Sequence, residues 1–159
     1  MSGVWLVNIG ITATGGAWST SDPIITVDNA SIYRNLGFQN LIIECDRKCS
    51  GILLDGAFSV TLDNLRISHP VVYGVRVLPY VSSGGMSLKN VRITEWAFGE
   101  AGEVDYRQRT CTGFDMGWSD YIMEGCITAY CRVGLNVGDA TYNGLHDSCH
   151  WFGGSSEIG

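Results

Sequence analysis

Short runs along the chain place apolar residues at every second position, as in Ile52/Leu54, Val75/Val77, Phe114/Met116 and Leu135/Val137. A period of two sends alternate side chains to opposite faces of a strand, so each run predicts a strand with one buried face. No stretch sustains the 3.6-residue period of a major helix. The runs fall into two recurring motifs. One has the form Asn-apolar-x-Ile-Ser/Thr and reads Asn8-Ile9-Gly10-Ile11-Thr12, Asn64-Leu65-Arg66-Ile67-Ser68 and Asn90-Val91-Arg92-Ile93-Thr94. Weaker copies are Asn40-Leu41-Ile42-Ile43-Glu44, Glu124-Gly125-Cys126-Ile127-Thr128 and Ser148-Cys149-His150-Trp151-Phe152. The other motif, x-Gly-apolar-x-apolar, keeps step with the first through Gly51, Gly74, Gly113 and Gly134. Phe58–Leu62 and Met86–Leu88 supply a third short strand per repeat.

Three short strands in a period near the 24 residues from Asn40 to Asn64 cannot bury their own apolar face within one repeat. Stacking of repeats does so, which predicts a parallel β-solenoid. An antiparallel sandwich also uses many short strands but has no need of position-matched repeats. Stacked repeats turn sequence columns into surfaces. The outward column of the Gly-led strand reads Leu53, Arg76, Asp115, Asn136, and that of the Asn-led strand Gly10, Ile42, Arg66, Arg92, Cys126 and His150. Adjacent arginines repel unless something anionic answers them, such as an acidic sugar or a neighbouring subunit's carboxylate.

These two motifs, over about residues 7 to 152, resemble the right-handed parallel β-helix of the pectate-lyase-like superfamily. The resemblance implies an all-β, single-stranded right-handed solenoid of about five to six coils, with residues 1–159 as one β-helix domain of a longer chain and 97–109 as an excursion from one coil. Within the superfamily the chain is most similar to bacteriophage tailspikes. That likeness implies a homotrimeric virion protein, assembled in the host cytoplasm, that binds and cleaves a bacterial surface polysaccharide by glycoside hydrolysis or elimination. A non-catalytic shaft or carbohydrate-binding adhesin module is the competing expectation, with an extracellular location as its counterpart. The motif series of polygalacturonases and the arginine-centred signature of pectate lyases are missing.

Charge narrows the partners. Sixteen acidic against 10 basic residues give a net charge of −6, which disfavours a phosphate backbone and so nucleic acid. No apolar run reaches the length of a membrane-spanning helix, so no membrane insertion is expected. The start of the chain carries no basic leader and predicts no signal peptide. Of the six cysteines, Cys45/Cys49 and Cys126/Cys131 are spaced loosely for zinc, and the column alignment points Cys126 outward. The cysteines read as small apolar filler, and neither metal nor cofactor is expected.

The turn after the Asn-led strand is the most irregular part of the repeat. Its aligned columns are Cys45, His69, Glu95, Ala129 and Asp46, Pro70, Trp96, Tyr130, and the third of these turns carries the excursion 97–109. Loops on one face of a solenoid are the usual place for function. Glycoside hydrolysis needs two carboxyl groups flanking the bond, whereas elimination needs a base and cations to stabilise the enolate. On this ground Asp115, Glu95 and Asp120 are the candidate catalytic acids. Arg76, Trp96, Trp118, Asn136 and Asp46 are the candidate sugar contacts.

Overall fold

The computed structural model describes residues 4–27, 34–56, 58–78, 85–117, 121–138 and 150–156. The first repeat comprises β1 (Val4–Val7), β2 (Gly10–Thr12) and β3 (Pro23–Val27). The second comprises β4 (Arg34–Gln39), β5 (Ile42–Glu44) and β6 (Ser50–Leu54), the third β7 (Phe58–Asp63), β8 (Arg66–Ser68) and β9 (Tyr73–Val77). The fourth holds β10 (Met86–Lys89), β11 (Arg92–Thr94), the single-turn helix α1 (Ala101–Val104) and β12 (Thr112–Met116). β13 (Tyr121–Ala129), β14 (Val133–Val137) and β15 (His150–Ser156) complete the order.

The chain is all-β, and every strand pairing among the described residues is parallel. From β1 to β9 each strand pairs with the strand three places on. The row β1-β4-β7-β10 meets the row β2-β5-β8-β11 through the long β13, and with β15 they make a ten-stranded sheet. A five-stranded sheet, β3-β6-β9-β12-β14, stands against them. This arrangement is consistent with a β-helix-like solenoid.

One apolar core fills the space between the sheets. Ile43, Ile67 and Ile93 stack in register from the larger sheet, facing Ile52, Val75 and Phe114 from the smaller, and all six are fully buried. Burying each such side chain contributes about 1.5–3 kcal/mol.

Two corners explain the motifs. Asn8, Asn40, Asn64 and Asn90 all sit at φ between 51° and 57°, a left-handed conformation that asparagine tolerates better than most residues. Their amides ladder across repeats, Asn40 Nδ2 donating to Asn8 Oδ1 (2.9 Å) and Asn64 Nδ2 to Asn40 Oδ1 (2.7 Å). In the fifth repeat the residue at this corner is Gly125, φ 62°, rather than Glu124. The alignment from sequence is therefore corrected there by one residue. Arg92 is in register with Ile127, so Cys126 is an inward residue and fully buried, not an outward one. Tyr130 accordingly takes the place beside Glu95 that the sequence columns give to Ala129. A glycine fits this corner on its own backbone freedom, and the Ile127-Thr128 pair that anchors the sequence match stands one step earlier in the repeat, beside Arg92 and Ile93.

At the second corner the Gly-led column serves close approach. A Cβ on Gly51 would stand 2.0 Å from the Gly74 carbonyl oxygen, and one on Gly74 or Gly113 would stand 2.8 Å from the next repeat's glycine oxygen.

Candidate functional site

Because β8 and β11 pair residue for residue, Arg66 and Arg92 stand side by side on the outer face of the larger sheet. Both are exposed, and neither has an ion pair among the described residues. The left-handed asparagine corner bends the sheet between its two rows. The result is a groove of about 530 Å³ lined by both arginines, Asn40, Asn64, Asn90, Ile42 and Ile127. Ile42 is 60% exposed there, an apolar strip beside two cations and a row of amides.

Arg66 and Arg92 also line an adjoining pocket of about 230 Å³ with His69, Trp96, Phe98 and Tyr130. His69 is held at the corner after β8 with φ 53°. Its Nδ1 lies 2.7 Å from Glu44 Oε1, which fixes Nδ1 as the protonated nitrogen while the ring is neutral. Nε2 is buried without a hydrogen-bond partner among the described residues and lies 3.6 Å from Glu100 Oε2. Glu100 belongs to the excursion, which folds back over the preceding repeats. Its Oε2 accepts from the Ala97 backbone N–H (2.7 Å) and pairs with Arg47 (2.5 Å). The Ala97 N–H, with the Arg47 charge behind it, holds the Glu100 carboxyl below its ordinary range. Arg47 in turn lies over the Trp96 ring, 3.2 Å from its centroid.

The residues singled out from sequence distribute over several surroundings. Asp115 is on β12, outward and half-buried. One carboxylate oxygen accepts from Arg76 Nε (2.6 Å) and the other from Asn136 Nδ2 (2.8 Å). The column Leu53, Arg76, Asp115, Asn136 is thus in register as expected, and its polar members satisfy one another. Glu95 is 2% exposed. Its carboxylate accepts from the Thr110 N–H (2.6 Å), the Thr110 hydroxyl (3.1 Å) and the Cys111 N–H (3.0 Å), which closes the base of the excursion onto β12. Trp96 lines the smaller pocket. Asp46 is exposed and paired with Lys48 (2.5 Å), whose hydrogen bond lowers its pKa. Trp118 and Asp120 lie outside the described residues.

His69, which lines the smaller pocket, has Glu44 on one ring nitrogen and Glu100 near the other, and none of the three is among the candidate catalytic residues expected from sequence. Glu44 and His69 occupy neighbouring columns of successive repeats, a signal present in the sequence. The approach of Glu100 depends on the path of the excursion and has no sequence signature. Compared with protein-family models, with curated proteins and with solved structures, the chain matches none.

Proposed function

We propose that the chain is a stretch of right-handed parallel β-helix that binds an acidic bacterial surface polysaccharide along the Arg66–Arg92 groove, in the manner of a tailspike. The observation that carries this reading is the in-register pair of arginines, with no carboxylate paired to either among the described residues. Two like charges held side by side weaken a sheet by roughly 0.2–1 kcal/mol. A carboxylated sugar bound between them removes that repulsion and gains charge-assisted hydrogen bonds. The asparagine row offers amides to hydroxyls, and exposed Ile42 offers an apolar surface to a sugar face.

Cleavage is assigned to the adjoining pocket, by elimination. Entry of the sugar carboxylate displaces Glu100 from His69 Nε2, which is buried against it in the free protein. Nε2 then takes the proton on the carbon beside the sugar carboxylate, and Arg66 and Arg92 neutralise the enolate as it forms. The electron pair then collapses to a carbon–carbon double bond as the glycosidic oxygen departs with its electrons. Glu44 favours this step because its charge stabilises the imidazolium that His69 becomes. The arrangement of Glu95, buried in its own hydrogen bonds, and Asp115, already paired, supports a histidine base over a carboxylate pair. Homotrimeric assembly in a virion belongs to the same proposal and is checked by sedimentation of the full-length parent protein.

The test uses acidic and neutral capsular glycans, with binding measured at low salt and product followed by the short-wavelength ultraviolet absorbance of the new double bond conjugated to the carboxylate. Acidic glycans are expected to bind and to yield unsaturated ends, with His69→Ala binding normally and yielding none. Binding without product in the wild type favours the carbohydrate-binding module over the enzyme. Failure of every acidic glycan to bind rejects the groove.

A further inference from the structure

The base of the excursion carries a second cluster, separate from the groove. One carboxylate oxygen of Glu95 and the thiol sulfurs of Cys111 and Cys131 all lie within 4.8 Å of one another, and all three residues are buried. We propose that these three side chains bind a transition-metal ion of the Zn²⁺ class, which clasps the two ends of the excursion to the following repeat.

Three observations support the assignment. The donor set is two soft thiolates and one carboxylate, a combination that suits zinc and disfavours calcium or magnesium. Ligands about 2.0–2.3 Å from a tetrahedral ion stand about 3.3–3.8 Å apart, so the cluster, whose ligand atoms lie within 4.8 Å of one another, needs to close by about 1.5 Å at most. The charge of Glu95 is also unanswered. It is 2% exposed, accepts only neutral donors, and has no cationic side chain paired with it among the described residues. Buried carboxylates are usually paired or bound to metal. Apart from their contact with each other, the thiols make only weak contacts, 3.3 Å to the Thr112 carbonyl and 3.6 Å to the Ala129 carbonyl.

Binding balances in charge. The ion brings two positive charges and the two thiols release two protons to solvent, so the buried cluster keeps the single negative charge of Glu95. A water completes the fourth position of the tetrahedron. Glu95 follows β11, Cys111 precedes β12 and Cys131 precedes β14. The ion would therefore tie three separate segments at one corner, and no short Cys-x-x-Cys spacing announces it.

The test titrates the reduced full chain with Co²⁺ under anaerobic conditions, using a phosphine as reductant. One equivalent is expected to give a thiolate-to-cobalt charge-transfer band that Zn²⁺ bleaches. Cys131→Ser is expected to weaken Co²⁺ binding at least about tenfold, while Cys126→Ser, at a buried cysteine elsewhere in the core, leaves it unchanged. Should Cys131→Ser fail to fold, the wild type decides the matter by peptide mass analysis. Zn²⁺ should slow alkylation of Cys111 and Cys131 several-fold and leave Cys126 unaffected. Absence of the band at stoichiometric Co²⁺, undiminished Co²⁺ affinity in folded Cys131→Ser, or unchanged alkylation of Cys111 and Cys131 overturns the site.

Discussion

Two outward columns of this protein have the same backbone geometry and opposite chemistry. On the five-stranded sheet Arg76, Asp115 and Asn136 stack in register, and each polar group finds its partner in the next repeat. On the ten-stranded sheet Arg66 and Arg92 stack equally closely, yet the residues flanking them in the column are Ile42 and Ile127. A parallel stack imposes side-by-side contact on whatever the sequence supplies, so a column either neutralises itself or is left as a charged strip. The first column behaves as structure. The second is left as a charged strip with no ion pair among the described residues.

The sharpest way to break the comparison is to remove the register on which both columns depend. Gly51→Ala puts a methyl group against the Gly74 carbonyl oxygen, a backbone atom that cannot move aside alone. It should cost about 3 kcal/mol or more, read as a loss of midpoint in urea unfolding with both columns disrupted together. Next in size is the effect on binding. Arg66→Ala and Arg92→Ala each remove a charge-assisted contact and should weaken an acidic oligosaccharide roughly tenfold or more, measured by calorimetry. Equal binding by the double variant would place the ligand elsewhere.

Within the self-satisfied column, Asp115→Ala strips the partner from Arg76 and Asn136. The pair is partly exposed, with side-chain exposures of 30% and 20%. The expected loss is therefore only about 1 kcal/mol, with a double-mutant cycle against Arg76→Ala isolating the coupling. The opposite sign is expected across the molecule. Arg66→Ala with Arg92→Ala should leave stability unchanged or raise it by a few tenths of a kcal/mol, about half of one at most. Added salt should narrow that gap by screening the repulsion in the wild type. A clear destabilisation by the double variant would show that the arginines are satisfied after all.

The smallest effect concerns pH. The folded-state pKa of Glu100 is lowered, chiefly by the Ala97 N–H, so its contribution to stability is present above the ordinary glutamate range and lost as pH falls through the lower folded value. The side chain is 37% exposed, which keeps the effect small. Glu100→Gln should flatten the acid limb of the stability profile and lower its neutral plateau slightly, by the amount the charged form contributes.

Much of the fold was legible because each repeat states its own geometry. Asparagine at the left-handed corner, glycine where backbones approach, and β-branched residues facing inward recur at matched positions, and the observed pairings follow those positions through four repeats. The reading slipped at Gly125, since glycine satisfies the corner as well as asparagine does and local similarity then favoured the wrong residue by one. That single step turned Cys126 from surface to core. The candidate site was less legible. The columns exposed Arg66 and Arg92 as an oddity, but the search for paired carboxylates selected Glu95, which the tertiary structure uses to fasten the excursion.

The sequence by itself determined the strand period, the alternation that separates core from surface, and the columns that become neighbours, because these follow from local backbone preference and from burial repeated at a fixed interval. Only the tertiary structure decided where the excursion goes. Its path brings Glu100 to His69 and Arg47, closes Glu95 over Cys111, and sets Cys131 beside them. None of those residues shares a repeat position with its partner. Contacts between an irregular segment and a regular one are fixed by packing, and no periodicity encodes them.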